Sequence, residues 1–79
     1  MTVLLFARPR EVVGTGRLDI ELGEGATAGD AFDLLAGRLP ELARMKRALR
    51  PAVDNAYATW ASELSDGGEL ALIPPTAGG

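Results

Sequence analysis

The residues of this chain best suited to chemistry are its last ones. The sequence closes on Leu70-Ala71-Leu72-Ile73-Pro74-Pro75-Thr76-Ala77-Gly78-Gly79, an apolar strand followed by a proline pair, two small residues and a diglycine. Glycine has no Cβ, so a diglycine can lie extended in a channel too narrow for any other residue. The prolines hold φ near its extended value and keep the exit from the fold from coiling back. The reactive group on such a tail is the terminal carboxylate of Gly79, which is ionised at neutral pH. It can attack the phosphate of a nucleotide and become an acyl-adenylate. For a diglycine taken alone, a frayed end is the plainer account. The rest of the chain favours the reactive one.

Other catalytic chemistry is scarce. There is no cysteine and no histidine. That removes disulfides, thiolate metal sites and the commonest general base. Serine-histidine and cysteine-histidine catalysis are excluded within this chain. Eleven acidic residues against eight basic give a net charge of −3. No basic face is evident, so no nucleic-acid partner is expected. The longest apolar run is far short of a membrane span, and no basic region with a cleavage site opens the chain. A cytoplasmic protein with no membrane partner is the expectation. Seventy-nine residues make one domain at most, with a small core. We divide them into a folded domain, 1–75, and a flexible diglycine tail, 76–79.

The elements that must position the tail follow from periodicity. Thr2 to Ala7 reads as a strand, apolar at every position from Val3 onward. Arg8 to Gly16, with Pro9, Gly14 and Gly16, reads as a loop. Arg17 to Leu22 alternates, with Leu18, Ile20 and Leu22 inward, and is expected to pair antiparallel with the first strand. Thr27 followed by Asp30 has capping-box spacing. It opens a helix over about Ala28 to Leu39, whose apolar stripe is Ala28, Ala31, Phe32, Leu35, Ala36 and Leu39. Pro40 stops it. Pro40 to Leu49 is a second short helical segment, Pro51–Asn55 and Tyr57–Trp60 are short extended segments, and Glu69–Ile73 is the last strand. One main helix packed on one face of a mixed four- to five-stranded sheet is an α+β, β-grasp (ubiquitin-like) arrangement.

A single helix covers one face of such a sheet. By alternation, Val3, Leu5, Leu70 and Leu72 face the helix. Leu4, Phe6, Ala71 and Ile73 then form an apolar patch on the open face, with Tyr57 at its edge. A contiguous exposed patch marks a partner site. The competing expectation is that a loop or the 40–50 segment folds back over it. The patch adjoins the strand that launches the tail, which is what a carrier protein needs.

The carboxylates Glu11, Asp19, Glu21, Glu24, Asp66 and Glu69 fall in loops or on wet strand faces and read as solvated surface, not as acid-base pairs or metal ligands. Arg8 and Arg10, near Glu11, are loop charges able to steer an acidic partner, and Arg10 can hydrogen-bond across an interface. Gly23, Gly25, Gly67 and Gly68 are turn glycines, and no spacing matches a phosphate-binding loop.

Several of these stretches are familiar in combination. Leu5-Phe6-Ala7, Arg10-Glu11, Gly14, Ala52-Val53-Asp54 and the run from Leu64 to Pro75 closing on Gly78-Gly79 resemble the small subunit of molybdopterin synthase. That family usually has asparagine at Asp54, an acidic residue at Gly68 and often phenylalanine at Ile73. Thiamine-pathway sulfur carriers share the diglycine but usually lack the proline pair.

The resemblance implies a sulfur carrier that binds no cofactor of its own. A ubiquitin-activating-like partner adenylates Gly79 at the expense of ATP, a thiocarboxylate follows, and Gly78-Gly79 inserts into the large catalytic subunit of the synthase, in a heterotetramer. There sulfur passes to a pterin precursor to form the dithiolene of molybdopterin. The catalytic residues lie on the partners. Phe6, Tyr57 and Ile73 match docking positions of the family, and we add Arg10, Pro74 and Pro75 to the interface. Two alternatives remain open: a diglycine carrier serving thiamine synthesis, another sulfur pathway or protein conjugation, and a plain β-grasp interaction module.

Overall fold

The structure, a computed structural model, describes residues 1–75. Gly78 and Gly79, with the rest of the 76–79 tail, lie outside the described residues. Five strands form one sheet: β1 (Thr2–Leu5), β2 (Arg17–Asp19), β3 (Arg50–Val53), β4 (Ala56–Tyr57) and β5 (Glu69–Ile73), in the order β2-β1-β5-β3-β4. β1 lies antiparallel to β2, with Val3 opposite Leu18, and parallel to β5, with Leu5 opposite Leu72. β3 runs antiparallel to both β5 and β4, placing Arg50 opposite Ile73 and Ala52 opposite Tyr57. The sheet is mixed and carries its main helix on one face, as a β-grasp fold requires.

Three helices accompany the sheet: α1 (Ala7–Val13), α2 (Ala28–Ala36) and α3 (Pro40–Ala43). The main one, α2, is set by local chemistry at its start. The Asp30 N–H donates to Thr27 Oγ1 at 3.1 Å, and the Thr27 N–H donates to Asp30 Oδ2 at 2.9 Å, completing the capping box. Two further first-turn donors reach a neighbouring segment: the Ala28 N–H binds the Ser62 carbonyl and the Gly29 N–H binds that of Trp60, at 2.9 and 2.8 Å. A Cβ on Gly29 would sit 3.1 Å from the Trp60 carbonyl oxygen, so this approach favours glycine.

The core lies between α2 and the sheet. Val3, Leu5, Leu70 and Leu72 meet Ala28, Ala31, Phe32 and Ala36, all buried. The half-buried Trp60 packs against Phe32 at a centroid distance of 5.2 Å, edge to face. The Lys46 ammonium closes this pair, 5.3 Å from the Trp60 ring centre and 5.7 Å from that of Phe32. Leu42 and Leu49 join the same core, so the 40–49 segment folds onto the helix side and not over the open face.

Several expected boundaries are corrected. Residues 7–13 are helical, not a loop. Pro9 sits in the first turn, where its missing N–H has no intrahelical acceptor, and its ring is buried. Gly14, at φ +95°, is a left-handed cap whose N–H returns to the Arg10 carbonyl at 2.8 Å. The second strand stops at Asp19 instead of Leu22. The Ile20 N–H still reaches the Met1 carbonyl, but beyond that β2 meets no partner strand among the described residues, and Leu18, Ile20 and Leu22 are only half-buried.

The helix α2 ends at Ala36, not Leu39. The Leu39 N–H bonds the Ala36 carbonyl in a tighter turn before Pro40, and Leu35 is half-buried. The Pro40–Leu49 segment divides into α3 and a 3-10 turn over Lys46–Ala48. Of the extended segment expected at Tyr57–Trp60 only Tyr57 lies in a strand, β4, and the one expected at Pro51–Asn55 is β3, which starts at Arg50 and ends at Val53 before the turn.

Candidate functional site

Strand alternation builds the site. On β1 and β5 the residues facing α2 are Val3, Leu5, Leu70 and Leu72, each 0–1% exposed. Their neighbours must point the other way. Phe6 follows β1 in an extended conformation (φ −131°, ψ 156°), so it continues the alternation onto the open face, where it is 47% exposed. Across the sheet, Leu4, Phe6, Ala52, Tyr57, Ala71 and Ile73 line a shallow depression of about 290 Å³, with Asn55 and Glu69 at its margin. Tyr57 is 64% exposed and Ile73 half-buried. Nothing among the described residues covers this patch.

The hairpin that presents Tyr57 turns through Asp54 and Asn55, at φ +49° and +70°. Two successive positive φ values make a type I′ turn, which Asn and Asp tolerate better than other side chains. The turn is anchored to β5: Asp54 Oδ1 accepts the Glu69 N–H at 2.9 Å, and the Asp54 N–H donates to the Glu69 carbonyl at 2.9 Å. Tyr57 is thereby tied to the strand that leads into the tail.

The remaining interface candidates separate. Pro74 is half-buried and Pro75 exposed, directly after β5. Arg10 is not part of the depression. It is exposed on α1, and its side chain lies over Gly16, where a Cβ would come within 3.2 Å of Nε. Arg8 is engaged by Glu41 at 3.0 Å and Glu11 at 3.8 Å, both on the surface. A residue that the alternation of single strands does not reveal is Arg50. Its guanidinium carbon lies 4.6 Å from the Tyr57 ring centre, on the open face beside Ile73. The signal that finds it is cross-strand register.

A larger cleft, about 610 Å³, is lined by Met1, Ile20, Leu22 and Leu64 with Glu21, Glu24 and Asp66 exposed around it. It adjoins the start of β1, away from the end of β5 where the tail departs. Among the described residues no group of three or more Asp or Glu side chains is arranged to hold a metal ion. No helix among them is long and apolar enough to cross a membrane.

This geometry has close relatives. A family model described as the ThiS family matches residues 3–79. The chain belongs to the ThiS family. The molybdopterin synthase sulfur carrier subunit of Arabidopsis thaliana is 35% identical over 77 residues, spanning 98% of this chain and 80% of that protein. The protein of the same name from Mycobacterium tuberculosis is 34% identical over 80 residues, spanning 100% and 96%. Solved structures agree on the fold. SAMP1 from Haloferax volcanii superimposes with a TM-score of 0.80 at 31% identity, covering 99% of this chain and 97% of that one. A putative molybdopterin converting factor, subunit 1, from Pyrococcus furiosus gives 0.80 at 29%, covering 95% of each. Within the ThiS family, then, this chain joins an exposed apolar sheet face to a C-terminal diglycine sequence.

Proposed function

We propose that this chain is the sulfur carrier subunit of a molybdopterin synthase. The observation that carries the reading is the position of the open face. Leu4, Phe6, Ala71 and Ile73 form it from β1 and β5, and β5 continues through Pro74-Pro75 toward Gly78-Gly79. A partner that docks on this face receives the tail in the same encounter. The names of the Arabidopsis and Mycobacterium relatives support the pathway.

In this mechanism the Gly79 carboxylate attacks the α-phosphate of ATP in a ubiquitin-activating-like partner, and pyrophosphate leaves. Hydrosulfide, or its equivalent from a sulfur donor, attacks the acyl carbon and displaces AMP, leaving a thiocarboxylate. The tail then enters the large subunit of the synthase, which supplies the catalytic residues, and sulfur passes to the pterin precursor. This chain contributes the docking face, the stiff proline exit and the acyl terminus. Gly78 lets the tail pass a narrow channel.

The test is to incubate the protein with ATP, the adenylating enzyme and sulfide, and to map the product by mass spectrometry. The expected result is a gain equal to the difference between sulfur and oxygen, confined to the C-terminal peptide. A modification mapped elsewhere sinks the mechanism. The likeness to SAMP1, a small archaeal modifier protein by its title, favours protein conjugation as a second reading. Gly79 found linked to lysine side chains in a lysate would support that reading in place of sulfur transfer.

A further inference from the structure

We propose that Arg50, held over the Tyr57 ring, is a specificity residue of the open face and pairs with a carboxylate on the protein that docks there. The proposal rests on the reading of that face as a docking surface. Arg50 opens β3 opposite Ile73, and Tyr57 stands opposite Ala52 on β4. The pleat therefore puts Arg50, Ala52, Tyr57, Ala71 and Ile73 on the same side of the sheet. The guanidinium carbon lies 4.6 Å from the centre of the Tyr57 ring. Stacking uses the flat face of the guanidinium and leaves its edge N–H donors free to bind a carboxylate in a bidentate pair.

Those donors have no acid to satisfy them within the described fold. Arg50 takes part in none of the ion pairs found there, whereas Arg8 is paired with Glu41 and Lys46 with Asp33. The acids on the same face are Glu69, four residues before Ile73 on β5, and Asp19 on β2, which pairs with Thr2 and accepts its hydroxyl at 2.9 Å; both lie at the end of the sheet opposite Ile73. Glu69 is the one on the strand that leads into the tail. At the usual strand rise it is about 13 Å from Ile73. The apolar strip is thus basic at the end where the tail departs and acidic at the other. A purely apolar partner would bury the Arg50 charge unpaired, which is strongly disfavoured. A partner with an Asp or Glu at the mouth of its tail channel pairs it.

The other acceptor to weigh is the phosphate of a nucleotide waiting at Gly79. Gly79 stands six positions beyond Ile73. An extended chain of that length spans about 20 Å. That is beyond the reach of an arginine side chain anchored beside Ile73, so the acceptor belongs to the protein surface around the base of the tail.

The experiment measures affinity for the large synthase subunit at low and high salt, by calorimetry, for the wild type, Arg50→Gln, Arg50→Glu, Arg50→Lys and Phe6→Arg. Thermal unfolding of each variant is recorded alongside. We expect Arg50→Glu to weaken binding by about tenfold or more, through like-charge contact with the partner carboxylate. Arg50→Gln should weaken binding and flatten its salt dependence. Arg50→Lys should fall between, since it keeps the charge and loses the planar fork. All the Arg50 variants should melt close to the wild type. Unchanged affinity and salt dependence in Arg50→Glu, with binding lost in Phe6→Arg, overturns the role of Arg50 and leaves the docking face standing. Normal binding by Phe6→Arg overturns the docking face itself.

Discussion

Leu5 and Phe6 are adjacent in sequence and lie on opposite faces of the sheet, Leu5 at 1% exposure under α2 and Phe6 at 47% on the open side. Arginine at the two positions therefore has different consequences. At Leu5 it buries a charge in a core that supplies only about 3–5 kcal/mol in a domain this small, and the protein should not fold. At Phe6 the charge stays in water, and the stability change should be about 1 kcal/mol or less. Urea unfolding of both variants checks this. Equal destabilisation would mean that the two faces are wrongly assigned.

Gly68 and Asp54 meet at the anchor of the hairpin turn. A Cβ on Gly68 would lie 3.0 Å from the Ser65 carbonyl oxygen and 3.2 Å from Asp54 Oδ1. The first of these atoms is backbone and already accepts the Gly68 N–H, so it has little room to yield. Gly68→Ala should cost about 1–3 kcal/mol by overpacking. Asp54→Ala should cost a comparable amount, losing the bond to the Glu69 N–H and placing alanine at φ +49°. Because the added Gly68 methyl would press on Asp54 Oδ1, which the second substitution removes, the double variant should lose less than the sum. Strict additivity in chemical denaturation would count against the contact.

Thr27→Ala removes the hydroxyl that accepts the Asp30 N–H. The expected loss is about 1 kcal/mol, and Thr27→Ser should recover most of it. Hydrogen exchange at the Asp30 amide gives a local reading: protection should fall in the alanine variant and return in the serine one.

Lys46 sits over both rings of the Phe32–Trp60 pair, and its distance to Asp33 Oδ1 is 4.0 Å. Lys46→Glu loses the cation and places an acid near Asp33. We expect a lower melting temperature, equivalent to about 1 kcal/mol. Lys46→Arg should be close to neutral, since a guanidinium also stacks on aromatic faces. Added salt should narrow the gap between the Lys46→Glu variant and the wild type, through screening of the repulsion from Asp33.

Much of this molecule was legible one segment at a time. Alternation in β1 and β5 assigned Val3, Leu5, Leu70 and Leu72 to the core and Leu4, Phe6, Ala71 and Ile73 to the open face, because a strand's two faces are set by local pleat. The Thr27–Asp30 spacing located the start of α2, because a capping box closes within one turn. The diglycine tail is an expectation from the order of the last residues, which lie outside the described ones. The α1 helix is not legible in the sequence, because Pro9 and Gly14 carry the same punctuation as a loop. Burial of the Pro9 ring and the left-handed cap at Gly14 make them the first turn and the end of a helix. Two further outcomes were decided only in three dimensions. Leu42 and Leu49 join the core between α2 and the sheet, which draws the 40–49 segment to the helix side and leaves the patch open. Arg50 comes to lie over Tyr57 because the Asp54-Asn55 turn sets the register of β3 against β4, and register is a property of paired strands that no single strand's sequence carries.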